Sequence, residues 1–343
     1  MRVKLEQVCE RDSSNLKQTE IVNKVDGYPV YGASGLIGMV DFYQQDKPYI
    51  AVVKDGAGIG RTTLNPAKSS VIGTMQYLIP KNNVIPEYLY YVVSYMHLEK
   101  YFTGATIPHI YFRDYKNEEF NLDPIESQRK IVKVLGICEH VIESRKEELL
   151  KLDELVKARF VEMFGDGYPE DSLINLCNII DYRGKTPEKV ESGLPFITAK
   201  NIKMHHMNME PREYISKDTY DKVMVRGFPK EGDVVFTTEA PLGNVCRIPH
   251  FDTEFYIGQR IVTLQTVKLI PAYLEYAVST DAFRQKYMGK SSGSTVTGIR
   301  VRLLEQLTIP VPPRELQLQF EAFVKQVDKS KVVEISEAAY FII

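Results

Sequence analysis

The chain has 343 residues, 44% of them hydrophobic and 26% charged, with a formal net charge of −2. This composition gives room for two folded domains, and it excludes both a disordered chain and one carrying an overall basic footprint. Cys9, Cys138, Cys177 and Cys246 lie far apart with no CxxC pair, which excludes a disulfide framework or zinc ribbon; with no signal peptide or long apolar span, the cytoplasm is the expected location.

In chain order, the first strong signal is the apolar run Tyr49 to Val53, which reads as a strand and leads into DGAGIG. Gly56, Gly58 and Gly60 suit a tight turn between strands, where glycine supplies backbone angles that other residues avoid. The alternative they leave open is a phosphate-cradling turn of a nucleotide- or methyl-donor-binding enzyme. Against it, GAGIG is not GxGxxG, and RTTLNPAKSS after it does not start an amphipathic helix.

Ile85 and Pro86 open a segment that is written twice. With Tyr88, Leu89, Tyr91, Val93, Ser94 and Gly104 they reappear, at one constant offset, as Ile270, Pro271, Tyr273, Leu274, Tyr276, Val278, Ser279 and Gly289. Upstream, Ala57 and Gly60 answer Ala240 and Gly243, and Gly73 answers Gly258; downstream, Gln128 answers Gln317. The chain is a tandem duplication whose period is too long for a solenoid. Its repeated tyrosines, at helical spacing, read as core.

Each copy runs into a helix. From Glu126 to Met163 there is no proline and one glycine, with apolar residues every seven positions at Leu135, Ile142, Leu149, Val156 and Met163. A second row, Ile131, Cys138 and Leu152, is broken by Arg145 and Arg159. This is a seam suited to coiled-coil packing, and ~38 residues would extend roughly 57 Å. The second helix, with Leu316, Phe320, Phe323, Val324 and Val327, reads as about ten residues shorter on the same helical rise and is the natural partner of the first.

Catalytic motifs are missing: no GxxxxGK[ST], HExxH or GxSxG, and no histidine with cysteine or carboxylate at metal-ligand spacing. Asn65-Pro66 lacks the aromatic residue of an amino-methyltransferase tetrapeptide. No cofactor or metal is expected. Basic and acidic residues nearly cancel in both copies, 13 against 14 up to Asp123 and 18 against 18 from Asp166 to Pro312, so any contact with nucleic acid must be local. Two stretches free of carboxylates qualify: Tyr101 to Arg113, and Ala282 to Leu304 with Arg284, Lys286, Lys290, Arg300 and Arg302. Such loops suit phosphate and base-edge contacts, or are merely solvated.

The order and repetition of TGATIPHI (from Thr103), DYRGKTPEKVESGLPFITAKNIK (from Asp181), GDVVFTTEAPLGNV (from Gly232) and IPVPPRELQLQF (from Ile309) resemble the DNA specificity subunits of type I restriction-modification systems. The resemblance covers nearly the whole chain. It implies an α+β fold: two similar mixed α/β target recognition domains, residues 1–123 and 165–312, joined by two long helices, residues 124–164 and a shortened 313–343, pairing as an antiparallel coiled coil with pseudo-two-fold symmetry. The subunit would be non-catalytic and would read a bipartite sequence in double-stranded DNA. Its partners would be methyltransferase and restriction or motor subunits in a restricting, methylation-only or type II-like assembly, with self-association open. The candidate DNA contacts are Lys54, Arg61, Thr106, His109, Tyr111 and Arg113 in the first domain, and Arg183, Lys185, Lys200, Asn201, Lys203, Asn244, Ser291, Ser292, Thr295 and Arg300 in the second.

Overall fold

A computed structural model describes the chain except residues 22–26, 57, 105–107, 166, 183, 185, 186, 294–296 and 341–343, and for residues 332–340 it describes the backbone alone. Thr106, Arg183, Lys185 and Thr295 therefore lie outside the described residues. The chain divides into two compact units, Met1–Ile142 and Glu143–Ile343.

The first unit opens with β1 (Arg2–Lys4), α1 (Leu5–Val8), β2 (Cys9–Ser13), β3 (Tyr28–Gly32), β4 (Gly35–Val40), β5 (Tyr49–Val53), β6 (Thr62–Asn65), β7 (Ser70–Val71) and β8 (Met75–Pro80). It continues through α2 (Pro86–Tyr95), α3 (Phe112–Tyr115) and β9 (Glu119–Asn121) into α4 (Ile125–Phe164), whose second half belongs to the other unit. A four-stranded sheet runs β2-β8-β5-β6, a three-stranded sheet runs β4-β3-β7, and β1 pairs with β9. All five residues of β5 are buried: Ile50 and Val52 join the core that packs α2, and Tyr49, Ala51 and Val53 join a cluster on the opposite face. Burial on both faces is why this strand reads as an unbroken apolar run.

The second unit repeats this plan. It holds β10 (Glu170–Ser172), α5 (Leu173–Leu176), β11 (Cys177–Asp181), β12 (Leu194–Ile197), β13 (Ile202–Lys203), β14 (His206–Met207), β15 (Tyr214–Ile215) and α6 (Lys217–Val223). There follow β16 (Val234–Thr237), β17 (Val245–Arg247), β18 (Tyr256–Ile257), β19 (Ile261–Thr266), α7 (Pro271–Ala277), α8 (Asp281–Met288), α9 (Val301–Leu304), β20 (Thr308–Pro310) and α10 (Arg314–Tyr340). Its sheets run β11-β19-β16-β17 and β15-β12-β18, with β10 paired to β20. In each unit the small sheet has one antiparallel and one parallel pair, β3–β4 with β3–β7 and β12–β15 with β12–β18. The β13–β14 hairpin and α6 are inserted between β12 and β16 of the second unit.

The repeated residues form a joint. Helices α2 and α7 each begin with proline, and neither has a side-chain cap. The bare N–H of Ile85 donates to Gln128 Oε1 on α4 at 2.9 Å, and that of Ile270 donates to Gln317 Oε1 on α10 at 2.9 Å. Both glutamines are buried. Their amide nitrogens donate back to the chain just before their own helices, Gln128 to Asp123 O at 2.8 Å and Gln317 to Pro312 O at 2.8 Å. Tyr88 and Tyr273 are core residues whose hydroxyls tie the helix to the last strand, donating to Asn121 O at 2.9 Å and Pro310 O at 2.7 Å.

The long helices touch within the second unit, where the contacts fix their direction. Phe320 on α10 packs edge-on against Phe160 and Phe164 of α4 at 5.3 and 5.6 Å, and Lys331 reaches Asp153 at 2.6 Å. From Phe320 to Lys331 the contacts on α4 retreat from Phe160 to Asp153, so this pair runs antiparallel. Val156, Phe320, Val324 and Val327 are buried in one cluster, with Leu152, Met163 and Phe323 against it. Phe160 and Phe164, which the heptad rows leave out, are buried there too. Ile131 belongs elsewhere: instead of a helix seam it packs against the core of the first unit. Cys138, Ile142 and Leu149 are half-buried, and Leu135 is exposed.

Replacing Gln317 with alanine leaves the Ile270 N–H and the Pro312 carbonyl without partners in a dry interior. The expected cost is about 2–3 kcal/mol of unfolding free energy, measured by chemical denaturation; a loss under about 0.5 kcal/mol, the range of ordinary surface changes, would remove the joint's importance.

Candidate nucleic-acid interface

Beyond β5 the chain is held in a fixed path. Gly60 N donates to Val53 O at 2.9 Å and Val53 N to Arg61 O at 2.9 Å, closing a turn between two antiparallel strands. Gly56 and Gly60 both have positive φ, +94° and +81°. A Cβ on Gly60 would lie 2.5 Å from Glu99 N. The glycines thus serve a strand-to-strand turn, with no helix N-terminus to bind phosphate. Gly243, in the equivalent turn of the second unit, has φ +92°, and a Cβ there would strike the Tyr287 hydroxyl at 2.1 Å.

A loop is hung from each strand end by the same bonds. In the first unit Ile110 N donates to Lys54 O at 2.9 Å and Lys54 N to Thr74 O at 3.0 Å, while Thr103 and His109 exchange two bonds of 2.8 Å. In the second, Ile299 N donates to Thr238 O at 3.0 Å and Thr238 N to Arg260 O at 2.8 Å, while Ser292 and Gly298 exchange two bonds of 3.0 Å. These bonds correct one match read from the sequence. Gly104, with φ +99°, corresponds to Gly293, with φ +123°; Gly289 instead ends α8 in right-handed conformation at φ −64°. The two turns of α8 stand where the first unit has only the short 3-10 turn Leu98–Tyr101, and the extra residues shift the alignment.

The loops present different groups on this common frame. In the first unit His109 Nδ1 meets Asp55 Oδ1 at 2.6 Å, the exposed Tyr111 ring stacks beside His109, and the Arg113 guanidinium lies 4.7 Å over the Tyr111 ring. Arg61 is exposed but bound, donating from Nη1 to Ala33 O at 3.0 Å. In the second unit a polar cleft of about 260 Å³ is lined by Thr238, Glu239, Gln259, Arg260, Ser292 and Arg300. Arg260 Nε meets Glu239 Oε1 at 2.6 Å. Arg300 is exposed, and Ser291 donates its hydroxyl to Met288 O at 2.8 Å.

Several nominated residues have other work. Asn201 is 1% exposed. Its Oδ1 accepts from Thr198 N and Oγ1, both at 2.9 Å, and its Nδ2 donates to Asn208 O at 2.9 Å and Pro211 O at 3.1 Å. With every donor spent it locks a loop and has none left for DNA. Asn244 likewise donates to Ile202 O at 2.8 Å, tying its turn to β13. Lys286, part of the basic stretch, pairs with Glu170 at 2.8 Å; with Thr308 it holds that carboxyl below its ordinary range. Lys200 is exposed and Lys203 half-buried. The carboxylates Asp55 and Glu239, and Arg260, were missed by sequence reasoning; an acidic residue two places past each apolar strand was the available signal.

Burial pushes the thiols of Cys9, Cys177 and Cys246 up to about 12, so they pack as small apolar groups. Among the described residues no cluster of three or more His, Cys, Asp or Glu could hold a metal ion, and no helix is long and apolar enough to cross a membrane.

Asn201→Ala is expected to lower stability by about 2–3 kcal/mol through four broken buried bonds, whereas Lys200→Ala next to it should stay within about 0.5 kcal/mol. Thermal melts of the two variants compare them directly; equal melting temperatures would contradict the loop lock.

A family model described as the type I restriction modification DNA specificity domain matches residues 1–153 and again 172–338. The chain is similar to the type I restriction enzyme MjaVIII specificity subunit of Methanocaldococcus jannaschii, 23% identical over 81% of this chain and 72% of that protein. It is also similar to the MjaIX specificity subunit of the same organism, 30% identical over 72% of this chain and 63% of that protein. Among solved structures, the S subunit of a type I restriction-modification system from M. genitalium superposes with a TM-score of 0.61 at 14% identity, covering 100% of this chain and 92% of that one. A chain from work on complex assembly and conformational transition of the type I R-M system gives 0.52 at 19% identity, covering 99% and 94%. At these identities the structural likeness speaks for the fold alone. The double match to the family model takes in nearly the whole length, one copy to each set of repeated sheets, and the chain belongs to the type I restriction-modification DNA specificity family.

Proposed function

We propose that the chain is the non-catalytic DNA-reading subunit of a type I assembly. Residues 1–123 and 165–312 act as target recognition domains for two unlike half-sites of one bipartite sequence. Residues 124–164 and 313–343 pair as an antiparallel coiled coil that spaces them and receives methyltransferase subunits, which restriction or motor subunits then join. The observation that supports this reading best is the pair of loops: the backbone bonds from strand end to loop and across the loop's neck recur in both, and the side chains they carry differ. A shared frame with altered contents suits two readers of different sequence. The antiparallel contact between α4 and α10 supports the spacer, because opposed modules match the strand symmetry of a duplex. Side chains with free donors, Lys54, Arg113, Lys200, Lys203 and Arg300, would meet phosphates and base edges.

Methylation profiling of DNA from cells carrying the complete system is expected to show two different half-sites separated by a fixed unread spacer. Deleting one heptad of α4, Glu143 to Leu149, removes about 10 Å of rise and should shorten that spacer by about three base pairs. Unchanged spacing would rule out the helix as ruler, and a purified chain that methylates or cuts DNA unaided would overturn the reading itself.

A further inference from the structure

Two partly exposed ion pairs at the loops are placed with more care than stability requires. Asp55 and Glu239 occupy equivalent positions, each two residues past a strand-end residue, Val53 or Thr237, whose N–H and C=O close the neighbouring turn. Each also bridges by backbone to the returning loop, Asp55 to His109 and Glu239 to Gly298. Yet the carboxylates take different partners. Asp55 holds His109, which sits on the returning loop; the matching residue in the second unit is Gly298, which has no side chain to offer. Glu239 instead holds Arg260, from the position equivalent to Thr74.

Arg260 reaches Glu239 from a left-handed backbone, φ +74°, which a residue with a Cβ rarely adopts. Its side chain remains 51% exposed and that of Glu239 39% exposed. Exposed pairs of this kind contribute little to folding, so stability does not account for a strained arginine here. Geometry supplies a reason. The carboxylate lies against Nε, so the Nη1 and Nη2 end of the guanidinium is available as a fork, and Arg260 lines the cleft shared with Gln259, Ser292 and Arg300. Such a fork donates two parallel bonds to O6 and N7 of guanine in the major groove. In the first unit the same arrangement grips Nδ1 of His109 and leaves Nε2, a single-point contact of different chemistry.

We propose that Arg260 is the guanine-reading residue of the second half-site, buttressed by Glu239, and that His109, buttressed by Asp55, is its counterpart for the first. This rests on the DNA-reading role proposed above and assigns the residues that carry it. The carboxylates are positioning residues: they repel phosphate and hold the reader's orientation, and they touch no base.

The test uses the assembled complex with its methyltransferase subunits and a duplex library randomised in both half-sites. Arg260→Ala should lose discrimination about tenfold or more at one guanine of one half-site, with the other half-site unchanged. Arg260→Gly accepts the left-handed backbone without strain, so it should melt no lower than the parent and show the same selective loss. Glu239→Gln should relax the same base position to a smaller extent, and His109→Ala should relax one position of the opposite half-site. Uniform weakening across all sequences, with a reduced salt slope, would make Arg260 a phosphate contact and overturn the assignment. Unchanged preference would reduce the pair to a surface ion bridge. A parent complex with no bipartite preference would sink the proposed function, whereas a selective parent with indifferent variants would sink this inference alone.

Discussion

Much of the architecture depends on one hydrogen bond made twice, from the first amide of a module's helix to a buried glutamine on the long helix that follows. An N-cap isoleucine, whose side chain cannot accept a hydrogen bond, leaves donors that must be satisfied somewhere. Here the acceptor comes from the next structural element, so α2 and α7 are completed only when α4 and α10 are in place. Tyr88 and Tyr273 strengthen this by binding the last strand before each long helix. Module and helix therefore form a single packing problem, and the side chains that solve it have little freedom to vary between copies.

From that joint outward, constraint weakens in steps. Helix α2 packs against the sheet, and the turn beyond β5 is pressed so closely on the following segment that Gly60 has no room for a side chain. The loop beyond is anchored chiefly by backbone bonds, which are indifferent to side-chain identity. Fixed glycines, fixed backbone bonds and free side chains form a graded series, and the free end is where a recognition surface can differ between modules at least cost to folding.

This gradient decides what could be read from the sequence. Tyr49–Val53 was legible because burial on both faces leaves no polar position. Helix α4 was legible because its seven-residue period is long and unbroken by proline. The pairing of Gly104 with Gly289 failed because residue identity at a constant offset cannot see the extra residues of α8, whereas the backbone bonds can. Phe160 and Phe164 escaped the heptad rows because they answer to a module's core as well as to a helix partner. Asn201 and Lys200 look alike in sequence as polar loop residues; only the surrounding carbonyls distinguish a buried lock from a solvated donor. Arg260 was invisible because the matching carboxylate of the first unit, Asp55, takes its partner His109 from the returning loop, so the copies share no side-chain pattern at this position.

The strands from which the loops hang have a thermodynamic consequence. Lys54 and Thr238 leave the most enclosed strand of each module within one residue of its last buried position, so their backbones are already immobilised before any ligand arrives. Recognition groups mounted there surrender little configurational entropy on association. A calorimetric profile of complex formation should accordingly show almost no entropic penalty from the strand-end anchors.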